Sequence, residues 1–210
     1  MSLLFNILPD ALDERLETDK LILRPYQEGD ESDFMRVLQE NTSLLNPAFS
    51  GRIARVKALE DARLQMQQLR TDWDNRKTFD FGVWTKADNT YLGDIALKNV
   101  DYKIPKAEIG LYFTGWPETK ELVQEALQSI IRFAFDTLQL NKVYIRCTSN
   151  YKVYGELAIE NGFVEEGTLR SDFRGTDSDE LHDLTYFGMT RQDFERLRQQ
   201  EESKNSTELV

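Results

Sequence analysis

Glu108 is the side chain in this sequence that is best placed to accept a proton. It stands in residues 106–114, where polar and apolar side chains alternate, so Glu108 lies on one strand face and Ile109 on the other. A carboxylate beside a closed site could take a proton from a reacting group through water, with its pKa tuned by burial. The alternative is a structural ion pair, for instance with Arg24 or Lys98.

The single cysteine and the single histidine limit other kinds of chemistry. Cys147 cannot form an internal disulfide and has no companions at metal-ligand spacing. Because it lies in the alternating stretch Lys142–Thr148, we expect a buried strand residue. One histidine, His182, makes a Ser-His-Asp or Cys-His arrangement hard to assemble. The sequence therefore predicts no metal site, and it favours a strand residue over a titratable switch at His182.

The charge balance excludes some partners. The chain has 26 basic and 37 acidic residues, a formal net charge of −11, which repels nucleic acid and anionic lipid at long range. Cationic amines or basic peptides would be attracted, although most acidic proteins use such charge only for solubility. Residues 1–16 have no basic leader, and no apolar run approaches the length of a membrane span. We therefore expect a cytoplasmic protein that binds neither nucleic acid nor membranes.

The elements that would position these groups follow from the spacing of apolar residues. Strands are predicted at residues 20–26, 78–85, 91–100, 107–114, 142–148, 163–170 and 182–189. Helices are predicted after Asp30, over residues 59–73, from about 117 to 140, before Asn161-Gly162 and after Thr190. Thr190 and Asp193 are expected to form a capping box at the start of the last helix. Residues 41–55 are predicted to form a loop and residues 201–210 a disordered polar tail.

This order of elements predicts a mixed α/β fold in a single domain over residues 1–200. Three adjacent strands between helices favour an antiparallel meander, and the later alternation of strands and helices favours crossover connections. We expect a central sheet of about seven strands flanked by helices.

Six sequence strings occur in the order found in one known family. They are "LETDKLILRPYQEGD" (16–30), "YLGDIALKNVD" (91–101), "KAEIGLYF" (106–113), "EALQSIIRFAFDTLQLNKVYIRC" (125–147), "ENGFVEEGTLRSDF" (160–173) and "HDLTYFGMTRQDF" (182–194). Together they resemble the ribosomal-protein alanine N-acetyltransferase branch of the GNAT superfamily. The similarity spans residues 16–197, which is strong for the fold and says less about activity.

The resemblance implies a sheet whose fourth and fifth strands, at residues 107–114 and 142–148, separate to admit acetyl-CoA. An amine, from a protein N-terminus or a small molecule, would meet the thioester from the opposite side. Pantetheine would pair with backbone groups of the fourth strand, and the pyrophosphate would bind amides at the start of the long helix. The cofactor-binding residues on this basis are Leu111, Tyr112, Phe113, Thr114, Thr119, Lys120, Glu121, Leu122, Val123 and Asn150.

The sequence departs from the family pattern at the turn that would hold the pyrophosphate. Two glycines normally stand there two residues apart, because glycine lets the backbone approach the phosphates closely. Here Thr119 and Glu121 take those positions, and Glu118 adds a second carboxylate beside Lys120. This change is large enough to weaken CoA binding about tenfold or more. The alternative is an ordinary helix start on the protein surface, where acidic residues are favoured in any case.

The residue that would protonate the departing thiolate is also altered. Many members of the superfamily carry a tyrosine five residues before the Gly-Phe pair, where Leu157 stands here. Tyr154, one helical turn earlier, could reach the same space as a catalytic acid, although a packing role is favoured. Two hypotheses follow. The chain is an N-acetyltransferase with Glu108 as base, or it is a non-catalytic or weakly catalytic relative that serves as a binding or regulatory protein. Either could be a monomer or a homodimer.

Overall fold

A mixed β-sheet forms the centre of the computed structural model, which describes residues 12–40, 49–116, 118–148, 152–174 and 179–208. The strands are β1 (Leu16–Glu17), β2 (Leu21–Arg24), β3 (Phe79–Thr85), β4 (Tyr91–Asp101), β5 (Lys106–Phe113), β6 (Lys142–Thr148), β7 (Val164–Arg174) and β8 (Leu181–Thr190). The helices are α1 (Glu31–Glu40), α2 (Ser50–Arg55), α3 (Leu59–Asp74), α4 (Lys120–Arg132), α5 (Lys152–Glu160) and α6 (Arg191–Glu208). A π-helical turn, Phe133–Thr137, extends α4.

The strands lie in the order β1-β2-β3-β4-β5-β6-β8-β7. Neighbouring strands are antiparallel except β5 and β6, which run parallel. The connection between these two strands contains α4, since parallel neighbours need a long crossover. The predicted mixed sheet flanked by helices is confirmed. The additional strand is β1, whose two residues are too few to show a period in the sequence.

One face of the sheet packs on α4. Side chains alternate along a strand, so Ile109, Leu111 and Phe113 point to this face, where all three are buried. The buried apolar residues of α4 follow helical spacing and are Val123, Ala126, Leu127, Ile130 and Ile131. Removing this surface from water stabilises the packing by about 25 cal/mol per Å² of apolar area, which holds α4 across the sheet.

The opposite face of the sheet carries α1, α2 and part of α3. Phe34, Val37 and Leu38 form the buried side of α1, as their spacing predicts. They share an apolar cluster with Tyr112 of β5, which points away from α4. Each face of β5 is therefore covered by a different set of helices.

One helix and two helix boundaries differ from the prediction. α2 forms within the stretch predicted as a loop, whose residues 41–48 lie outside the described part of the chain. α4 begins at Lys120 rather than near Pro117, and Pro117 also lies outside the described part of the chain. α6 continues to Glu208, through most of the predicted disordered tail. Among the described helices, none combines the length and the apolarity needed to cross a membrane.

Two helix ends predicted from local signals are confirmed. At the start of α6 the backbone N–H of Asp193 donates to the Thr190 hydroxyl (3.2 Å), and the Thr190 N–H donates to the Asp193 carboxylate (3.0 Å). α5 ends before Gly162, whose φ of +85° lies in the left-handed region that glycine adopts without strain.

Candidate functional site

The main candidate site is an opening between β5 and β6. The two strands are in register at three positions, from the pair Lys106↔Lys142 to the pair Glu108↔Tyr144. Both then continue as strands without further pairing between them. The predicted separation of these strands is therefore confirmed. The gap between the unpaired parts of β5 and β6 is called the slot below.

The edge of β5 that faces the slot carries backbone groups that β6 does not reach. Thr114, just after β5, donates its N–H to the carbonyl of Leu92 on β4 (2.8 Å), so its backbone points away from the slot. Successive residues of a strand direct their N–H and C=O groups to opposite sides. The backbone groups of Leu111 and Phe113 therefore face the slot, whereas those of Tyr112 face β4.

Glu108 lies at the closed end of the slot in an ion pair with Arg146 of β6. Its Oε1 accepts a hydrogen bond from Nε of Arg146 (2.9 Å), and its Oε2 accepts one from Nη2 (2.7 Å) and another from Nδ2 of Asn99 (2.6 Å). Glu108 is 1% exposed. The structure thus shows the ion-pair alternative, with a partner that the sequence did not indicate. The role of Glu108 as a base stays a prediction.

Arg24 and Lys98, the two partners suggested for Glu108 from the sequence, contact other side chains. Arg24 pairs with Asp30 (2.7 Å), and its guanidinium carbon lies 3.7 Å from the ring centroid of Trp84. Lys98 lies opposite Glu108 in the β4–β5 register and places its ammonium 4.4 Å from the ring centroid of Phe49. Burial lowers the pKa of Lys98.

The first turn of α4 is the predicted pyrophosphate site. Thr119 precedes the helix with φ −93° and ψ 6°, a conformation open to any residue, and its hydroxyl donates to the Thr114 carbonyl (3.0 Å). The Thr119 carbonyl accepts the N–H of Val123 (3.0 Å), which begins the helical ladder. The N–H groups before that bond have no acceptor within the helix, and they belong to Lys120, Glu121 and Leu122. They are the donors that could bind an anion.

Two charged side chains at this turn form ion pairs with other parts of the chain. The Lys120 ammonium lies 2.7 Å from Oε1 of Glu160 on α5, and Gln124 donates to the other oxygen of Glu160 (3.0 Å). Glu121 is 85% exposed at its side chain and lies 3.5 Å from Lys20. A phosphate at this turn would therefore compete with Glu160 for Lys120, while Glu121 can swing into solvent. Of these two carboxylates, Glu160 is the one that competes directly with a phosphate for Lys120.

Four other residues were singled out from the sequence. Tyr154 on α5 is 8% exposed and belongs to the same apolar cluster as α4, which fits the favoured packing role. The role of Tyr154 as an acid stays a prediction. Asn150 lies outside the described residues. Cys147 is buried on β6 as expected, and burial raises the pKa of its thiol to about 11. His182 is a strand residue of β8, in register with Phe173 of β7.

A buried charge network that the sequence analysis missed lies on the face covered by α1 and α2. Arg52 of α2 donates to Asp80 on β3 and to Asp94 on β4 (3.0 Å), and all three residues are at most 4% exposed. Tyr26 also donates to Asp94, and its hydroxyl lies 2.9 Å from that of Tyr91. Burial raises the pKa of Asp94 to about 6. The available signal was an aspartate within each of two largely apolar stretches, residues 79–84 and 91–97, because a buried carboxylate is expected to have a charged or hydrogen-bonding partner.

A cavity of about 670 Å³ lies beside this network, between α2 and α3. Its lining includes Arg52, Asp80, Lys98 and, from α3, Gln68. Because Lys98 stands opposite Glu108 in the sheet, the cavity approaches the closed end of the slot. Its volume suits a small polar molecule or the first residues of a peptide.

The sequence has relatives among known proteins. It matches the acetyltransferase (GNAT) domain family over residues 20–164. YdaF of Bacillus subtilis (strain 168), provisionally named a ribosomal N-acetyltransferase, is 31% identical over 108 residues, which are 51% of this chain and 58% of the relative. The chain thus spans somewhat less than three fifths of the length of that curated relative.

Solved structures share the fold. RimJ of Mycobacterium smegmatis, in complex with a CoA disulfide, aligns with a TM-score of 0.76 at 17% identity, covering 89% of this chain and 91% of that one. A RimL ribosomal L7/L12 α-N-protein acetyltransferase in complex with coenzyme A gives a TM-score of 0.73 at 15% identity, over 84% and 98% of the two chains. The family match covers more than half of the sequence and contains all of β5 and β6. This chain belongs to the GNAT acetyltransferase domain family.

Proposed function

We propose that this protein is an N-acetyltransferase that moves an acetyl group from acetyl-CoA to a primary amine. The observation that carries the proposal is the slot between β5 and β6, which opens after three paired positions. An extended arm such as pantetheine fits a slot of this kind, because an open strand edge offers N–H and C=O groups at strand spacing. On the slot-facing edge of β5 those groups belong to Leu111 and Phe113.

The pyrophosphate of acetyl-CoA would bind at the start of α4. The N–H groups of Lys120, Glu121 and Leu122 point out of the helix end, and the positive end of the helix dipole favours an anion there. Thr119 and Val123 frame this turn. The donor set suits a phosphate, and the ion pair between Lys120 and Glu160 must loosen to admit one.

The chemistry supplied by acetyl-CoA is an activated acyl group on sulfur. The nitrogen of a neutral amine attacks the carbonyl carbon, the C–N bond forms and the C–S bond breaks. A backbone N–H of β5 stabilises the negative charge that develops on the carbonyl oxygen, and Leu111 is the central slot-facing residue. The proton lost by nitrogen goes to a base, and the departing thiolate gains one. Glu108 and Tyr154 are the candidates from the sequence, although three N–H donors already contact the Glu108 carboxylate.

The acceptor in this proposal is the N-terminus of a protein. YdaF and RimL carry names that refer to ribosomal proteins, and RimL is named for an α-amino group. The net charge of −11 favours a cationic amine, so a small polyamine-like molecule is the alternative acceptor. We place the reaction in the cytoplasm, where a single buried cysteine stays reduced.

A second function is supported by the turn before α4. Thr119 and Glu121 stand where glycines are expected, and Glu160 holds Lys120. If these features abolish cofactor binding, the protein is a non-catalytic binding or regulatory member of its family. Calorimetric titration with acetyl-CoA, followed by mass measurement of acetylated peptides, separates the two functions. Absence of both heat and thermal shift at about 1 mM acetyl-CoA would retire the transferase proposal.

The turn itself can be tested by restoring the glycines. Thr119→Gly combined with Glu121→Gly should tighten CoA binding about tenfold, because the backbone can approach the phosphates and one carboxylate is removed. Glu118→Gln is the control, since it removes a neighbouring carboxylate outside the two glycine positions. Unchanged calorimetric affinity in the glycine variant would show that this turn does not hold the pyrophosphate.

A further inference from the structure

Glu108 and Arg146 bridge β5 and β6 at the point where the strands part. Arg146 stands two residues beyond Tyr144, the last β6 residue in register with β5. Continued pairing would place Arg146 opposite Gly110. Instead its guanidinium reaches back and binds both carboxylate oxygens of Glu108, at 2.9 and 2.7 Å. A bidentate pair of this kind fixes both the distance and the relative orientation of its two strands.

Neighbouring strands hold both halves of this pair. Asn99 lies at an irregularity of the β4–β5 register with φ +49°, a left-handed conformation that asparagine adopts more readily than most residues, and it donates to Glu108 from there. On the other side, the guanidinium carbon of Arg146 lies 5.9 Å from the ring centroid of Tyr186 on β8. Glu108 is 1% exposed and the Arg146 side chain 25%. The pair is therefore positioned by four strands, β4, β5, β6 and β8.

We propose that the Glu108–Arg146 pair is a clip that sets the depth of the slot, so that both are positioning residues for acetyl-CoA; this rests on the proposed function. An extended arm entering from the open end of the slot cannot pass the last paired residues of β5 and β6. The clip fixes where those residues lie, and it therefore fixes where the thioester stops relative to the slot-facing N–H of Leu111.

The contacts of Glu108 favour positioning over proton transfer. Three N–H donors, two from Arg146 and one from Asn99, already contact its two oxygens. Protonation of the carboxylate would remove the negative charge that strengthens both hydrogen bonds from Arg146, and this loss would loosen the strands at the moment of reaction. A group that holds the site together is better left undisturbed during the chemistry.

The test compares four variants with the wild type. Arg146→Lys keeps the charge but removes the bidentate geometry, Glu108→Gln removes the carboxylate charge, and Glu108→Gln with Arg146→Met removes both charges in case a lone buried charge prevents folding. Lys142→Gln is the matched control, since Lys142 lies on the same strand as Arg146 but forms its ion pair with Glu166 of β7 (2.6 Å), outside the slot. The readouts are hydrogen exchange of residues 106–108 and 142–144, calorimetric affinity for coenzyme A, and the pH profile of acetyl transfer.

If the clip exists, Arg146→Lys and Glu108→Gln raise amide exchange in both segments about tenfold and weaken CoA binding about five- to tenfold, and Lys142→Gln does neither. Acetyl transfer keeps its pH profile, and kcat falls less than the affinity does. If exchange in the two segments is unchanged, the clip is overturned. It is likewise overturned if Glu108→Gln lowers kcat about a hundredfold at unchanged CoA affinity, since that is the signature of a base. A wild type that binds no coenzyme A would overturn the proposed function, and the exchange measurement would still decide the clip.

Discussion

Asp94 is an unusual carboxylate, because it shares one guanidinium with a second buried acid. Its Oδ2 accepts from Arg52 and Tyr26, whereas its buried Oδ1 accepts no hydrogen bond from the described part of the chain. Asp80 binds the same guanidinium. Burial raises the pKa of Asp94 to about 6, although the charge of Arg52 opposes the change. The folded protein therefore takes up a proton here at a pH where an unfolded chain would not.

We predict that this proton makes stability depend on pH. The ordinary pKa of the group is 3.8, so between about pH 4 and 6 the folded state binds more protons than the unfolded state, and the free energy of unfolding falls as pH rises. The decline due to Asp94 should be about 2–3 kcal/mol, since one pKa unit corresponds to about 1.4 kcal/mol. Asp94→Asn cannot bind this proton. Urea unfolding from pH 4 to 7.5 should show the decline in the wild type alone.

The quantity to follow is the difference in the free energy of unfolding between the wild type and Asp94→Asn at each pH. Other carboxylates, such as Asp101 and Asp193, have lowered pKa values and affect stability in the opposite direction, but they do so equally in both. Unfolding free energies that run parallel across the whole range would show that Asp94 ionises like an exposed aspartate.

The partners of single residues were the least predictable part of the site. The alternation of polar and apolar residues placed Glu108 correctly on a strand face. It did not identify the ion-pair partner, because Arg24 and Lys98 were suggested and the structure shows Arg146. Arg146 can be identified as the partner only when the register of β5 against β6 is known, because the two residues are 38 positions apart. Local sequence carries no information about that register.

Among the helices and strands, regular periodicity predicted most of the fold. β6 has the predicted bounds, Lys142–Thr148, because seven alternating residues are enough to define a strand. α2 was missed because six residues are too few for a helical period, and its position depends on the tertiary contacts of Arg52. The separation of β5 from β6 was predicted from the family resemblance alone. Residues 109–113 are as apolar as a paired strand would be.

The contact between α5 and α4 leads to a second prediction. Glu160→Gln removes the carboxylate that holds Lys120 at the start of α4, so the ammonium becomes available to a phosphate. Both side chains are 41% exposed, so the gain is limited by solvent screening, and we expect CoA to bind about two- to fivefold more tightly. Calorimetric titration measures the change.

The control for this prediction is on the same helix. Glu156→Gln removes an equal charge from α5 one turn earlier, which separates the contact with Lys120 from a general reduction of negative charge. Equal gains in both variants would mean that long-range charge acts on CoA and that the Lys120–Glu160 contact does not matter.

Across the whole molecule, the net charge of −11 acts on the two proposed substrates in opposite directions. Coenzyme A is an anion and is repelled, whereas a cationic N-terminal peptide is attracted. Salt screens both effects, because the Debye length falls from about 30 Å at 0.01 M to about 8 Å at 0.15 M. The two Michaelis constants should therefore respond to salt with opposite signs.

The last prediction is that raising salt from about 10 to 150 mM lowers the KM for acetyl-CoA several-fold and raises the KM for a peptide with lysines after its N-terminus. A peptide with glutamates at the same positions provides the comparison, and its KM should fall with salt. Initial rates at saturating second substrate give each constant separately. If the KM for acetyl-CoA and the KM for the lysine-containing peptide move in the same direction, local pairs such as Lys120 with Glu160 govern access to the site and the overall charge does not.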